Sequence, residues 1–381
     1  MLIALGAVAL GAGALAGCSS TGSAPAPGAG AVGPVIPLTS STASADTTWA
    51  TLAMGHLDDP LNTFWQVVAL TAGRSWELAT PPGVASNGGL AVAVRPTSVL
   101  AGFGPSQFLR FSPLAHTADQ GTSWDPGLLP AGLARVPDAL VQGDSESLAL
   151  LRTYGGAVVV STGDLSTWKP VTTARVLSRV PALSGCGIRS LTAVTLDADG
   201  RPLVGASCTR GGQAGLFAPS STGWASAGPG IPGVSRGPTE VIRLDQTPAG
   251  TAALVSTGSG IGARLFGMWS TNGLRTWTVS AALALDGAAL FSTGVTGAGG
   301  FVVAASGGGS APTATLITPT ASQWQALPAL PSGTTSVTAT PVGGFDALVP
   351  VQSTLSVYGL GSQGWARVQN LRVDIQYGSS G

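Results

Sequence analysis

The chain has 381 residues, of which only 9% are charged and 44% hydrophobic, with 56 Gly and 27 Pro. Strong helix formers with charged side chains are scarce, and short apolar runs alternate with Gly, Pro, Ser and Thr, which is typical of many short strands joined by turns. The composition therefore excludes a mainly helical protein and predicts an all-β fold. The 17 basic and 17 acidic residues balance, and the basic ones are scattered along the sequence, so we expect no nucleic-acid partner.

The N-terminal segment, residues 1–17, is apolar but shorter than the roughly 20 residues that a spanning helix needs, which indicates an export signal. It ends in Leu15, Ala16, Gly17 and Cys18, which resemble the signal of bacterial lipoproteins. The resemblance implies cleavage before Cys18, lipid attachment to its sulfur, and a place on the extracytoplasmic face of the cell membrane. The alternative is an ordinary signal peptide with a chance cysteine.

The segment behind the cysteine, residues 18–45, is rich in Ser, Ala, Gly and Pro and is predicted to be a flexible tether. Residues 46–381 are then expected to form one domain. Near its start, His56, Asp58 and Asp59 bring three metal-binding groups within four residues. A solvated turn before a proline explains them equally well, so we predict no metal site.

A tryptophan returns behind a turn about every 40–60 residues, the period of a four-stranded propeller blade. These tryptophans are Trp76, Trp124, Trp168, Trp224, Trp277, Trp324 and Trp365. Thr117, Asp119, Gly121 and Trp124 match the Asp-box, or BNR, pattern at every specified position, and Ser270, Asn272 and Trp277 form a weaker copy. This pattern resembles that of sialidase-type β-propellers.

The resemblance implies an all-β propeller, and the repeats predict seven four-stranded blades, with six or eight blades or a pair of β-sandwiches as alternatives. The Asp-box itself is expected to be structural: its Asp accepts backbone N–H groups, its Gly takes a positive φ, and its Trp packs at the turn. Residues 371–377 alternate as a strand would and are expected to pair beside residues 49–54, closing the ring.

The two cysteines within the predicted domain, Cys186 and Cys208, belong to an exported chain, where the surroundings are oxidising. We therefore predict that they form a disulfide, and two buried free thiols are the alternative. Between them, residues 197–200 resemble the start of a calcium loop but lack its downstream Glu, so a hairpin turn is the better interpretation.

The sequence shows no set of catalytic residues that matches a known motif. Enzymes with Asp-boxes cleave sialic acids with an arginine triad and a Tyr paired with a Glu, but none of the three Tyr and three Glu here stands in a matching motif. The chain thus resembles the non-catalytic members, and we predict no catalytic residue and no cofactor. The leading hypothesis is a binding or scaffold protein for an envelope protein or glycan.

The competing hypothesis is a cell-surface glycoside hydrolase with acids drawn from Asp138, Asp245, Asp286 and Asp346. Two carboxylates roughly 5–10 Å apart at the mouth of the channel would favour it. An assembly factor similar to the propellers that help build photosynthetic complexes is a third possibility, by analogy of fold alone.

Overall fold

A computed structural model describes residues 37–373 apart from 58–61, 83, 85–87, 106–108, 135–137 and 308–310. The described residues form 29 strands and one short α-helix. The strands pair into seven consecutive antiparallel units of four, and one further short strand extends the fifth unit.

The first four units contain the following strands, in chain order. The first has β1 (Thr39–Ala43), β2 (Thr47–Gly55), β3 (Thr63–Thr71) and β4 (Trp76–Leu78). The second has β5 (Leu90–Val94), β6 (Val99–Phe103), β7 (Ser112–Thr117) and β8 (Asp125–Leu129). The third has β9 (Leu140–Gln142), β10 (Ser147–Leu151), β11 (Ala157–Ser161) and β12 (Lys169–Thr173). The fourth has β13 (Ile188–Leu196), β14 (Pro202–Cys208), β15 (Leu216–Ser220) and β16 (Gly223–Ser226).

The last three units follow the same plan. The fifth has β17 (Thr239–Thr247), β18 (Gly250–Thr257), β19 (Arg264–Ser270) and β20 (Thr278–Val279), extended by β21 (Leu283–Ala284). The sixth has β22 (Ala289–Val295), β23 (Phe301–Ser306), β24 (Thr313–Ile317) and β25 (Gln325–Ala326). The seventh has β26 (Ser336–Ala339), β27 (Phe345–Val351), β28 (Thr354–Gly361) and β29 (Gly364–Arg372). The helix α1 (Ala174–Leu177) and a 3-10 turn (Pro181–Leu183) link the third unit to the fourth.

The hydrophobic core lies between neighbouring units. Strand β10 shows why: all five of its residues are buried, because each face of a unit packs against another sheet. Such strands read as continuous apolar runs rather than alternating ones. The fourth strands lie at the outer edge instead, and in β8 only Leu129 is buried.

The ring has two faces that the strand order defines. Within each unit the turns after the first and third strands lie at one end, and the turn after the second strand lies at the other end with the link to the next unit. The first end carries the Asp-boxes, and we call it the Asp-box face. The second end is the link face. Strands β1 and β22 pair in parallel, so they present the same ends to the same side.

The first innermost strand, β1, lies inside the range predicted as tether. Its sequence, Thr-Ser-Ser-Thr-Ala, has no apolar pattern, but four of its five residues are buried. Hydroxyl groups stabilise it: Thr39 Oγ1 donates to the carbonyl oxygens of Phe291 and Thr335, at 3.2 and 2.9 Å. The ordered sheet therefore begins at Thr39.

The predicted closure of the ring by residues 371–377 is wrong where the structure describes it. Leu371 and Arg372 pair with β28, and the backbone N–H of Val373 donates to the carbonyl oxygen of Ser353. Strand β2 has no open edge to offer, because β1 and β3 pair with its two sides. Residues 374–377 lie outside the described part. The number of blades stays a prediction, which the seven four-stranded units support.

Candidate functional site

The centre of the ring is occupied by Arg243, which projects from β17 and is only 2% exposed. Its Nε donates to Asp245 Oδ2 at 2.7 Å, and Asp138 Oδ1 lies 3.6 Å from the same nitrogen. Its Nη1 donates to the carbonyl oxygen of Thr293 at 3.0 Å, and its Nη2 donates to the Thr42 hydroxyl at 2.9 Å. One guanidinium thus contacts the first, third, fifth and sixth units, which only a position near the axis allows.

The charge on Arg243 is fixed by these neighbours. Burial by itself lowers the pKa of the guanidinium, but the carboxylates of Asp245 and Asp138 outweigh it and hold the pKa above its usual value. A buried charge of this kind is tolerated because it is paired and hydrogen-bonded. We call Arg243, Asp138 and Asp245 together the lock at the axis, because their contacts stabilise the structure there.

This lock bears directly on the hydrolase hypothesis. The fold does bring two of the four proposed acids together, Asp138 and Asp245, but both lie against one guanidinium. A glycosidase needs one of its two carboxyl groups protonated, so that it can act as a general acid. Both carboxylates are engaged by the same guanidinium nitrogen, at 3.6 Å for Asp138 and 2.7 Å for Asp245, so neither is placed to protonate a substrate.

The other two proposed acids lie elsewhere. Asp286 is exposed on the link between the fifth and sixth units and has a positive φ of 48°. Asp346 is the second residue of β27, in the seventh unit, and is buried. The fold therefore does not assemble the four acids into one site.

Asp346 belongs to the seam between the first and seventh units, where the ring closes through side chains. Trp76 Nε1 donates to Asp346 Oδ2 at 2.8 Å. Gln369 makes two bonds to the backbone of Trp76: its Oε1 accepts from the N–H at 2.9 Å, and its Nε2 donates to the carbonyl at 2.8 Å. Sequence reasoning missed this contact, because its partners are separated by about three quarters of the chain.

A cleft of about 250 Å³ opens beside this contact on the Asp-box face, and we call it the seam cleft. Asp346 and Trp76 form part of its lining, and Arg74 lies on its first-unit side. Val342 and Val368, from the seventh unit, are 81% and 64% exposed. Two exposed valines flanking a concave site are unusual on so polar a face, and they mark this cleft as a candidate binding site.

Asp346 should give the stability of the fold a distinct pH dependence. Burial raises the pKa of this carboxyl, although the bond from Trp76 opposes the shift. The folded protein then holds the proton more tightly than the unfolded chain, so this group's contribution to the free energy of unfolding falls as the pH rises through the folded pKa. We expect Asp346→Asn to remove that fall, measured by urea unfolding between about pH 4 and pH 7.

The matched control is Asp119→Asn, because Asp119 is shifted in the opposite direction. The bond from the Ser123 hydroxyl, with further bonds from the Ser123 N–H and the Thr117 hydroxyl, lowers the pKa of Asp119 to about 2. Its stabilisation is present above the unfolded pKa and is lost as the pH falls. If Asp346→Asn and wild type unfold in parallel over the whole range, the interpretation of Asp346 is wrong.

The complete Asp-box forms a closed turn between β7 and β8. Asp119 Oδ1 accepts from the Ser123 N–H at 2.9 Å and from the Thr117 hydroxyl at 2.7 Å, and Thr117 Oγ1 accepts from the Gly121 N–H at 2.9 Å. Gly121 has a φ of 87°. Trp124 packs edge-on against Trp49 of the first unit, with ring centroids 6.3 Å apart. The side chains of Thr117 and Asp119 both bond within the turn, which is the geometry of a structural element.

The weaker copy of the Asp-box, between β19 and β20, closes its turn with the same kind of hydrogen bonds. Asn272 Oδ1 accepts from the Thr276 N–H at 3.0 Å, and Ser270 Oγ accepts from the Leu274 N–H at 3.0 Å. Trp277 Nε1 donates to the carbonyl oxygen of Ala227, in the preceding unit, at 2.9 Å.

Four other indoles also donate to the unit before them. Their acceptors are a carbonyl oxygen of Leu128 for Trp168, of Ala281 for Trp324 and of Pro328 for Trp365, and the carboxylate of Asp346 for Trp76. The repeated tryptophan therefore joins successive units as well as packing at its own turn.

Cys186 and Cys208 form a disulfide with Cα atoms 5.0 Å apart. Cys208 ends the buried strand β14, whereas Cys186 follows the 3-10 turn of the link between the third and fourth units. The bond thus fastens that link to the sheet.

The remaining candidates are structural or lie outside the description. Asp197 accepts the N–H groups of Asp199 and Arg201, each at 2.9 Å, and pairs with the Arg201 guanidinium, which closes the β13–β14 hairpin as the turn interpretation requires. The backbone N–H of His56 donates to the Asn62 carbonyl oxygen. Asp58 and Asp59 lie outside the described residues, and elsewhere in the description no cluster of three His, Cys, Asp or Glu side chains could hold a metal.

The signal, Cys18 and the tether up to residue 36 also lie outside the described residues. From residue 37 onward, no helix among those described has the length and apolarity needed to cross a bilayer.

Comparison with known proteins identifies the fold. No family model and no curated protein matches the chain. Among solved structures it is similar to a GH74 xyloglucanase from Xanthomonas campestris, with a TM-score of 0.53 and 14% identity over 86% of this chain and 52% of that one. It is also similar to a putative 6-phosphogluconolactonase from Bacteroides uniformis, with a TM-score of 0.51 and 13% identity over 86% of this chain and 97% of that one.

This chain therefore spans about half the length of the xyloglucanase. At 13–14% identity the likeness shows the fold and does not show the activity. The fold class predicted from the repeats is confirmed: the protein is an all-β propeller.

Proposed function

We propose that this chain is a membrane-anchored binding propeller: a lipid on Cys18 holds it on the outer face of the cell membrane, where it serves as a scaffold for an envelope protein or glycan. The observation that carries the proposal is the lock at the axis. The carboxylates of Asp138 and Asp245 pair with Arg243 instead of facing a substrate. Binding is the function that a propeller with such a centre can still perform.

The seam cleft is the surface that we assign to the partner. Val342 and Val368 offer apolar side chains around a polar floor that contains Asp346, and Arg74 adds a charge at the edge. An apolar centre with a polar rim is the usual arrangement of a protein-binding patch. A sugar would instead favour an exposed aromatic plane, and Trp76, the indole in the lining, is buried. We therefore favour a protein partner.

Anchoring supports this function physically. A lipid tether confines the search for a partner to a thin layer next to the membrane and raises the effective concentration without any new contact. A modest patch, which alone would bind weakly, then suffices.

The test is crosslinking and co-purification from intact membranes with the double variant Val342→Glu, Val368→Glu. We expect a partner that wild type captures to be lost, by about tenfold or more, because two buried charges would be placed in the interface. The matched control is Ile261→Glu, Val351→Glu, which changes two exposed apolar residues, 85% and 59% exposed, at hairpins of the link face.

The control should retain the partner. Equal recovery from both variants would show that the cleft is not the binding site. A sugar recovered in place of a protein would overturn the choice of a protein partner and would favour the hydrolase hypothesis.

A further inference from the structure

The link face carries a group of arginines that the linear sequence disperses. Six exposed arginines lie in the turns and links of the third and fourth units: Arg152, Arg175, Arg179, Arg189, Arg210 and Arg236. We call these six residues the arginine cluster. They occupy the β10–β11 hairpin, the link that contains α1, the start of β13, the β14–β15 hairpin and the link that follows β16.

Backbone hydrogen bonds bring the first of these segments into contact. The Leu191 N–H donates to the Gly155 carbonyl at 2.8 Å, so the start of β13 lies against the β10–β11 hairpin. The Ala174 N–H donates to the Gly156 carbonyl at 3.0 Å, which sets α1 beside the same hairpin. Arg152, Arg175 and Arg189 therefore belong to one surface.

The other segments adjoin this surface. The Arg210 N–H donates to the Cys186 carbonyl at 3.0 Å, and its Nη1 donates to the Ser184 carbonyl at 3.2 Å. A methyl group at Gly211 would lie 2.8 Å from the Arg236 backbone. Because the Cys186–Cys208 disulfide fixes this link, the cluster is held on a rigid platform.

The arginine cluster carries more positive charge than the acids near it can balance. Among the residues that the structure describes, none of the six arginines forms an ion pair. Residues 165–240 contain three acids: Asp197 and Asp199, which pair with Arg201 on the Asp-box face, and Glu240, which lies at the link-face end of β17 opposite Ser207 of β14. Asp286 is also on the link face, but it lies on the link between the fifth and sixth units, away from the third and fourth units that carry the cluster.

The Asp-box face has the opposite character. Its turns carry seven described acids, namely Asp46, Asp119, Asp144, Glu146, Asp164, Asp197 and Asp199. The same turns carry four described arginines, Arg74, Arg95, Arg201 and Arg275, so the charge of the Asp-box turns is moderately negative, whereas that of the arginine cluster is positive. Such a separation orients a protein in an electric field or above a charged surface.

The start of the chain points to what the cluster faces. Strand β1 runs parallel to β22, so residues 37 and 38 approach it from the link face. The described chain thus enters the ring on the face that carries the arginine cluster, so an anchor N-terminal to residue 37 would connect to that face.

We propose that the arginine cluster docks on the anionic phospholipid headgroups of the membrane that anchors the chain, so that the Asp-box face and its seam cleft point outward. This proposal rests on the anchoring proposed above. Guanidinium groups bind phosphate oxygens in pairs of parallel hydrogen bonds, which suits headgroups better than a point charge would. The lipid supplies attachment and the arginines supply orientation.

The test uses the full chain with Cys18→Ala, so that no acyl chain contributes, and measures co-sedimentation with vesicles of one part phosphatidylglycerol to two parts phosphatidylcholine. The variant is Arg175→Gln, Arg179→Gln, Arg189→Gln. Each arginine near an anionic surface changes affinity about fivefold, so the triple variant should bind at least about tenfold more weakly. Raising NaCl from about 0.1 M to about 1 M should release the unsubstituted protein, since the screening length falls to roughly 3 Å.

The matched control is Lys169→Gln, Arg201→Gln, Arg275→Gln, which removes the same charge from three exposed residues of the Asp-box face outside the seam cleft. It should bind as the unsubstituted protein does. Equal weakening by both triple variants would reduce the effect to net charge and overturn the proposal. So would binding to pure phosphatidylcholine that matches binding to the mixed vesicles, or capture by soluble polyglutamate without capture by vesicles, which would indicate an acidic protein partner.

Failure of the anchor is measured separately. Radioactive palmitate should label wild type and not Cys18→Ala. A labelled chain whose triple variants bind alike would refute the docking and keep the anchor, whereas an unlabelled chain that still needs the arginine cluster for phosphatidylglycerol would refute the anchor and keep the docking.

Discussion

Replacing Arg243 by Met is expected to lower the free energy of unfolding by about 3–5 kcal/mol, because the change leaves the carboxylates of Asp138 and Asp245 buried without their cation. The side chains of these two acids are only 10% and 18% exposed. The variant also loses the bonds to Thr42 and Thr293, which connect the first and sixth units. Urea unfolding followed by tryptophan fluorescence measures the loss.

Two further variants make this prediction specific. Arg264→Met changes an exposed arginine of the same unit and should alter the free energy of unfolding by no more than about 0.5 kcal/mol. Arg243→Met combined with Asp245→Asn should recover part of the lost free energy of unfolding, because only one buried carboxylate, that of Asp138, is then left without its cation. Similar losses in Arg243→Met and Arg264→Met would show that the axis is not held by this ion pair.

Reduction of the disulfide is expected to cost about 3 kcal/mol, since the bond closes a loop with a sequence separation of 22 residues and restricts the unfolded chain accordingly. The link that contains α1 should respond first. Its only other fastenings are a few hydrogen bonds and the buried side chains of Ala174, Leu177 and Leu183. Urea unfolding with and without reductant measures the global effect, and hydrogen exchange of residues 174–187 measures the local one.

The control for this experiment is the double variant Cys186→Ala, Cys208→Ala. It should unfold at the lower urea concentration of the reduced wild type and should be insensitive to reductant. A reduced wild type that unfolds at the same urea concentration as the oxidised form would contradict the prediction. The same result would remove the argument that the arginine cluster stands on a rigid platform.

The sequence predicted the repeat well because the repeat is local. A turn closed by its own Asp, Gly and hydroxyl groups, followed by a tryptophan, needs only about eight neighbouring residues, and Thr117 to Trp124 contain all of them. The all-β class follows from the same short-range signals. The pairing of each indole with the preceding unit is not local, so only the fold revealed it.

The innermost strand was missed for a definite reason. Strand β1 consists mostly of Ser and Thr, which in a linear sequence are typical of a tether. Its burial depends on acceptors more than 250 residues away, such as the carbonyl oxygens of Phe291 and Thr335. A polar strand at a crowded axis is stable because most of its hydroxyls find partners: those of Thr39, Ser40 and Thr42 do, whereas the buried Ser41 hydroxyl has none among the described residues.

The sequence by itself determined the repeating hairpin and the β class, since each depends on a few adjacent residues, and the lipid attachment at Cys18 stays a prediction from the same kind of local pattern. Only the tertiary structure decided that Arg243 locks the axis, that Trp76 and Asp346 close the ring, and that scattered arginines form one surface. Those features join residues far apart in the chain, and electrostatic and packing energies depend on distance in space, to which sequence order is blind.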